Sequence, residues 1–281
     1  PHPDIAAARA QAIWHLLQDD PAVVVASVRA AAMRMHSPQR FLSYCLQLTK
    51  DQTYAPDLLR EYLWEAGYAE DDPVTDPGEF SLRGGILDVY PPHMENPVRV
   101  EFFGDQIESL RLFDVDSQRS ISAISRVELI PMREYCMKRP LLERWAEDAP
   151  TRWGEPYHKF LEEELALARA GEPFPAFEFL LPAVDPLNQT LFDYLKGYRL
   201  VLSGRETLEA ALAKYHAELY ERFVDRVEAC KPVLAPGEIY ITGDQFHAAL
   251  ERFPCLQVEE LSVEHKDESP PLFLLVQSTR K

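Results

Sequence analysis

The sequence predicts an α/β fold in which a parallel-sheet α/β domain is interrupted by a small inserted α+β domain with an antiparallel sheet. Three observations predict it. A helix pattern and an all-apolar strand pattern open the chain, alternating apolar and polar residues fill four segments within 79–130, and helix and strand patterns return after Pro131. The predicted domain limits are 1–48 for the first part of the α/β domain, 49–133 for the insertion and 134–281 for the second part.

The first part reads as one helix and one strand. Apolar residues recur on one side of a helix from Asp4 to Leu17, and "PAVVVAS" at 21–27 is a short β-branched run typical of a strand covered on both faces. "SVRAAAMRM" then begins a second helix pattern. One helix and one strand cannot bury each other's apolar faces, so we expect the end of an α/β domain whose beginning precedes this chain.

The inserted part begins with a helix in "APDLLREYLWEAGY", with Gly67 as the residue that ends it. Four strands with period-two alternation follow, joined by turn-like stretches, at 79–90, 97–103, 106–113 and 126–130. Within the first of them the apolar positions change phase at Gly84 and Gly85. This change predicts a β-bulge or a sharp bend inside one strand.

The second part returns to α/β patterning. A helix from Tyr157 to Ala170 ends at Gly171, and "GYRLVLSG" reads as a buried strand that leads into a helix from Ser203. "EIYITGDQFHAAL" repeats the order of strand and helix, and "PPLFLLVQS" predicts a last strand. We expect these elements to complete the interrupted α/β domain.

Composition excludes several classes of function. With 46 acidic and 29 basic residues, the chain has a formal net charge of −17, which repels phosphate and argues against non-specific nucleic-acid binding by the whole surface. The longest apolar runs, "AVVVA" and "LFLLV", are too short to span a bilayer. The four cysteines form no CxxC motif, and they indicate reduced thiols in a cytoplasmic protein.

Motifs of catalysis are missing from the sequence. It contains no GxxxxGK[ST] phosphate loop, no GxSxG and no HExxH. "VLSGRET" joins a strand, a glycine and a helix start, but it lacks the lysine of a phosphate loop. A small-molecule α/β enzyme would need an apolar pocket with convergent polar groups, and no cluster of residues lines one. We therefore expect no catalysis and no cofactor in this chain.

The strand "PVRVEFF" carries two different faces. Val98, Val100 and Phe102 point one way, whereas the residues between and after them point the other, namely Arg99, Glu101 and Phe103. An exposed aromatic beside arginines matches the composition of protein-binding hot spots.

Arg83, in the preceding strand, shares its outward side with Ser81. Two interpretations stay open at this point. The arginines either pair with Glu101 or Glu79 on neighbouring strands, or they bind a partner.

The stretch "GEFSLRGGILDVYPP…NPVRVEFFGDQIESLRLFDVDSQRS" resembles the domain shared by the excision-repair protein UvrB and the transcription-repair coupling factors. "FEFLLPAVDPLNQTLFDYLKGYRLVLSGRETLEAALAKYHAELYERF" resembles the coupling factors more than UvrB. The resemblance implies an incomplete RecA-like domain of the UvrB 1a/1b type, interrupted by an α+β domain of the UvrB domain 2 type.

The same resemblance implies a protein-binding role. The inserted domain of this family docks UvrA, and the matching residues here are Arg83, Arg99 and Phe103. Beside the resemblance, we expect the acidic Glu101 to hold the arginines in place. The function implied is recruitment of UvrA to lesions where RNA polymerase has stalled. The alternative is a UvrB-type damaged-DNA-binding subunit of the excision nuclease.

Other parts of the coupling factors have no counterpart in this sequence. The resemblance implies that RNA polymerase, DNA, ATP and magnesium are bound by parts of a longer protein, among them its translocase motor. It implies no enzyme activity for this chain, no membrane contact and a bacterial cytoplasmic location.

Overall fold

The computed structural model describes residues 2–18 and 23–258. Its helices are α1 (Pro3–Leu16), α2 (Val28–Ala32), α3 (Pro38–Leu42), α4 (Pro56–Ala66), α5 (Arg139–Trp153), α6 (His158–Ala170), α7 (Leu191–Tyr194), α8 (Arg205–Glu228), α9 (Pro236–Ile239) and α10 (Gly243–Leu250). Its strands are β1 (Arg34–Met35), β2 (Leu46–Thr49), β3 (Ala69–Glu70), β4 (Glu79–Arg83), β5 (Ile86–Val89), β6 (Val98–Phe103), β7 (Gln106–Phe113), β8 (Ser120–Ile124), β9 (Arg126–Leu129), β10 (Gln189–Thr190), β11 (Leu200–Ser203) and β12 (Cys255–Val258).

The fold is mixed α/β, and the chain divides into two compact units. Among the described residues, the first consists of 2–18 and 38–140, and the second of 23–37 and 141–258. The domain limits read from the sequence, at residues 49 and 133, stay predictions.

The first unit is built around a six-stranded sheet in the order β3-β4-β5-β6-β7-β8, here called the main sheet. Neighbouring strands from β4 to β8 are antiparallel, but β3 runs parallel to β4, so the prediction of a purely antiparallel sheet is wrong at this edge. The predicted strand at 126–130 also lies elsewhere. It forms β9, which pairs with β2 in a separate antiparallel ladder, and β8 occupies the outer position instead.

The predicted long strand at 79–90 is two strands. Gly84 and Gly85 form the two-residue turn between β4 and β5, with Arg83 paired to Ile86 across it. Both glycines have positive φ, +54° and +89°, as a hairpin turn that follows the twist of its strands requires. The prediction of a bulge or bend is therefore wrong, because the change of apolar phase marks a reversal of chain direction.

Alternation along the strands builds the core of the first unit. Buried apolar residues of β4 to β7 face one side of the main sheet, and Leu59 and Leu63 of α4 pack with them. The contributing residues of the main sheet are Phe80, Leu87, Val89, Val98, Val100, Ile107 and Leu110. Gly67 ends α4 in the left-handed conformation, as predicted, and Gly171 ends α6 in the same way.

In the second unit, β11 and β12 form a parallel pair, which agrees with the strand predicted in "GYRLVLSG". That strand is not buried as predicted, since Val201 is 43% exposed.

Two other strand predictions for this unit are wrong. Val23–Ser27 has no strand structure, and Val25 is 93% exposed; the "EIYIT" stretch forms α9 and one isolated bridge between Met33 and Tyr240. A β-branched run becomes a strand only when a neighbour accepts its hydrogen bonds. The strand predicted at 270–278 lies outside the described residues.

Aromatic packing supplies much of the apolar burial in the second unit. The ring of Trp145 lies 4.6 Å from that of Phe174 and 6.1 Å from that of Phe177, between centroids. Phe192 and Phe246 meet edge to face at 5.5 Å within a cluster completed by Ala32, Leu212, Ile241 and Ala249.

Candidate protein-binding face

The side of the main sheet opposite its core is here called the outer face. One row across β4 to β7 consists of Ser81, Asp88, Arg99 and Arg111. The next row consists of Arg83, Ile86, Glu101 and Ser109. Phe103 lies two residues beyond Glu101 on β6, so alternation places it on the same side. The ladder thus brings Arg83, Arg99, Glu101 and Phe103 together on one face, as the sequence predicts.

Arg99 is held by a buried carboxylate. Its Nε and one terminal nitrogen donate to the two oxygens of Asp88, each at 2.7 Å. The Asp88 side chain is 2% exposed and that of Arg99 22% exposed. These hydrogen bonds raise the pKa of the Arg99 guanidinium, although partial burial opposes the shift. The pair is a bidentate, charge-assisted contact of the stronger kind.

Arg83 reaches the same carboxylate from the other side. One of its terminal nitrogens lies 3.8 Å from an oxygen of Asp88, and the other donates to Asp72 at 2.7 Å. The Arg83 side chain is 57% exposed, so it stays accessible from solution. Asp88 therefore lies between the two arginines of the outer face.

The charge of Glu101 helps to raise the pKa of Arg99, but its closest polar contacts are to other residues. Glu101 accepts a hydrogen bond from the Ser109 hydroxyl at 2.5 Å, and Arg111 lies 3.7 Å from the same carboxylate oxygen. The carboxylate that hydrogen-bonds Arg99 and also lies within ion-pair distance of Arg83 is Asp88, which sequence reasoning missed. The signal was the Gly84-Gly85 turn, since a two-residue turn there places Asp88 between Ser81 and Arg99.

Apolar side chains flank the charged centre of the face. Phe103 is 79% exposed at the end of β6, and Ile86 is 40% exposed opposite Glu101. Ile86 was not predicted, because it was assigned to the second half of a single strand. The guanidinium carbon of Arg99 also lies 4.8 Å from the ring centre of Phe113, which is fully buried. The outer face thus combines fixed cationic donors with exposed apolar surface.

The described part of the chain offers neither a metal-binding cluster nor a membrane-spanning helix. Across residues 2–18 and 23–258, no three His, Cys, Asp or Glu side chains are grouped so that they could hold a metal ion. Within those same ranges, every helix is too short or too polar to cross a bilayer.

The main sheet falls within a stretch that matches a known domain family. Residues 46–135 match the family described as the UvrB interaction domain. This stretch contains each of β3 to β8, and with them all the residues of the outer face.

Curated relatives match more of the chain. The transcription-repair-coupling factor of Escherichia coli is 30% identical over 265 residues, which are 92% of this chain and 22% of the relative. That of Myxococcus xanthus is 33% identical over 286 residues, 96% of this chain and 24% of the relative. UvrABC system protein B of Gemmatimonas aurantiaca is 28% identical over 246 residues, 82% of this chain and 32% of the relative. The chain thus spans under a quarter of the length of these two coupling factors.

Proposed function

The chain belongs with the transcription-repair-coupling factors and carries the UvrB interaction domain, and from this premise we propose that it recruits UvrA in transcription-coupled DNA repair. It acts as a protein-binding module, without catalysis of its own, and brings UvrA to lesions where RNA polymerase has stalled. UvrA docks on the outer face of the main sheet.

One observation carries this proposal: Arg83 and Arg99 converge on Asp88 on the same face as the exposed ring of Phe103. Arginine and large aromatic residues dominate protein-binding hot spots. The guanidinium groups can donate hydrogen bonds to carboxylates of UvrA, and the Phe103 ring can fill an apolar pocket of the partner. Glu101, at the edge of the charged centre, suits a basic group of the partner.

The remaining activities are assigned to parts of a longer protein. We propose that RNA polymerase and DNA bind to other segments, and that ATP and magnesium serve a translocase motor outside this chain. In the second unit, the parallel pair β11 and β12 supports an incomplete RecA-like domain of the UvrB 1a/1b type. The proposed location is the bacterial cytoplasm.

A titration of the purified chain with UvrA tests the docking role. Arg83→Ala, Arg99→Ala and Phe103→Ala are each expected to weaken binding by about 2 kcal/mol, roughly 30-fold in Kd. Glu61→Gln, on the exposed side of α4, changes the charge outside the main sheet and is expected to bind as the wild type does. Absence of wild-type binding, or unchanged binding in all three alanine variants, contradicts the proposal.

The damaged-DNA-binding alternative has its own test, since UvrB is also among the relatives. A gel shift with damaged DNA at low salt is expected to show no complex, because a chain of net charge −17 is repelled by phosphate. A shift that weakens steeply with salt favours the alternative.

A further inference from the structure

The outer face contains one carboxylate that no partner protein can reach. Asp88 lies in the second strand of the Gly84-Gly85 hairpin, flanked in sequence by the core residues Leu87 and Val89, and its side chain is 2% exposed. A buried carboxylate is costly unless opposite charges and hydrogen bonds compensate it. Here the compensation comes from the two arginines proposed to bind UvrA.

Asp88 and Phe113 together hold the guanidinium of Arg99 in place. Two parallel hydrogen bonds of 2.7 Å define the plane of the guanidinium, and the ring of Phe113 lies 4.8 Å from its central carbon. The edge bearing Nε and one terminal nitrogen is thereby turned towards the sheet. The other terminal nitrogen of the Arg99 guanidinium is the donor that a partner protein would contact.

Asp88 also lets the two cations lie close together. Arg83 and Arg99 would repel each other on a bare sheet, but each has a nitrogen within 4 Å of an Asp88 oxygen, at 3.8 and 2.7 Å. An arginine side chain otherwise loses considerable rotamer freedom when a partner immobilises it. A side chain already fixed loses less on binding.

We propose that Asp88 is a positioning residue for the docking surface: without touching UvrA, it holds Arg83 and Arg99 in the arrangement that UvrA binds. This inference rests on the proposed function. The opposite effect of Asp88 on UvrA binding can be stated as clearly. If Asp88 merely competed with UvrA carboxylates for the arginines, its removal would free the guanidinium groups and strengthen binding.

The decisive variant is Asp88→Asn, which keeps the shape and removes the charge. We expect it to weaken UvrA binding about tenfold or more in a titration at 50 and 300 mM salt. Asp72→Asn is the matched control, because Asp72 also contacts Arg83 but is 46% exposed and has no such contact with Arg99; its effect is expected to be several-fold smaller. Wild-type or tighter binding by Asp88→Asn overturns the inference.

A double-mutant cycle separates positioning from a general loss of structure. Combined with Arg99→Ala, Asp88→Asn is expected to cost less further affinity than it costs alone, because Arg99 is gone and only Arg83 remains for Asp88 to position. If the losses of affinity in the two single variants simply add in the double variant, the inference is overturned.

A spectroscopic measurement complements the double-mutant cycle. The Nε–H signal of Arg99 in a 15N NMR spectrum is expected to be sharp and slow to exchange in the wild type, and to lose both properties in Asp88→Asn.

Stability of the variants is checked by thermal unfolding. If Asp88→Asn does not fold, Asp88→Glu takes its place, since it keeps the charge but adds a methylene that disturbs the paired hydrogen bonds to Arg99. Asp88→Glu is also expected to bind UvrA about tenfold more weakly than the wild type. Binding equal to the wild type overturns the inference. Different results contradict the docking of UvrA and the positioning role of Asp88. Loss of binding by the wild-type chain removes the UvrA assignment and this inference with it, whereas strong wild-type binding with an unaffected Asp88→Asn variant removes this inference alone.

Discussion

Arg99 and Asp88 face each other directly across the ladder of β5 and β6, with both carboxylate oxygens engaged by one edge of the guanidinium at 2.7 Å. Strand pairing sets the positions of the two Cα atoms, so the paired hydrogen bonds between Arg99 and Asp88 are a consequence of the sheet register. A shift of one residue would move Asp88 to the core side and leave Arg99 opposite an apolar residue.

Replacing Arg99 by lysine tests whether its geometry matters beyond its charge. A lysine ammonium cannot make two parallel hydrogen bonds to Asp88, so Arg99→Lys is expected to lower the free energy of unfolding by about 1 kcal/mol. UvrA binding is expected to weaken by roughly tenfold, or about 1.4 kcal/mol. Urea unfolding and calorimetric titration provide the two measurements. Wild-type affinity in Arg99→Lys means that charge alone suffices.

Phe103→Ala separates binding from folding. The ring is 79% exposed, so its removal is expected to change the free energy of unfolding by less than about 0.5 kcal/mol. The same variant is expected to lose about 2 kcal/mol of UvrA binding. Phe80→Ala is the matched control, because that ring is fully buried in the core and its loss is expected to cost about 3–5 kcal/mol of stability. Equal binding by Phe103→Ala and the wild type would exclude the ring from the interface.

Ile86→Ser examines the apolar residue that sequence reasoning missed. Ile86 is 40% exposed beside the row that contains Arg83 and Glu101, so a docked partner is expected to cover it. Loss of its apolar surface is expected to weaken UvrA binding by about 1 kcal/mol, with the Kd measured by titration. If the Kd is unchanged, the interface ends at the arginines.

The turn between β4 and β5 is tested by two substitutions at Gly84. Its φ is +54°, and a Cβ added there would meet no atom within 4 Å, so only backbone conformation decides the outcome. Gly84→Val is expected to lower the free energy of unfolding by about 1–2 kcal/mol, because a β-branched residue disfavours left-handed backbone. Gly84→Asn is expected to be nearly neutral, since asparagine followed by glycine suits this turn. Urea denaturation that ranks the two variants equally would contradict the turn assignment.

His93 is expected to make stability depend on pH. Burial and the nearby charge of His15 lower the pKa of His93 from 6.5 to about 4, and its ring lies 4.5 Å from that of Trp14. Between pH 6.5 and 4 the unfolded chain takes up a proton that the folded chain does not, so this stabilisation is present above pH 6.5 and is lost as the pH falls towards 4.

Denaturant unfolding at a series of pH values measures the effect, with His93→Phe as the control that keeps a ring beside Trp14. The wild type is expected to lose on the order of 1 kcal/mol more than the control over this range, a figure reduced for the remaining solvent contact of His93. Parallel curves for the two proteins would show that His93 does not contribute.

Alternation along single strands was enough to predict which residues of β6 point outwards. Val98 and Val100 are buried, and Phe103 is exposed, because a strand that covers a core has only two sides. Pairing was harder to predict. The phase change at Gly84 and Gly85 allows either a bulge or a reversal, and only the reversal reveals Asp88 as the neighbour of Arg99.

Strand predictions from composition alone were less successful in the second unit. Val23–Ser27 and the "EIYIT" stretch both have the β-branched content of strands, yet neither forms one. The formation of a strand depends on a neighbouring backbone, which local composition does not contain. The helices that ended at Gly67 and Gly171 were predictable because their signals are local.

The strands β4 to β8 follow one another in the chain in the same order in which they lie side by side in the sheet. Each pairing closes only a short loop, so the entropy lost on bringing the strands together is small, and sheets of such low contact order fold quickly. We therefore expect this surface to be complete while the following residues are still being synthesised on the ribosome. A nascent polypeptide would then possess its recognition surface before its translation has finished.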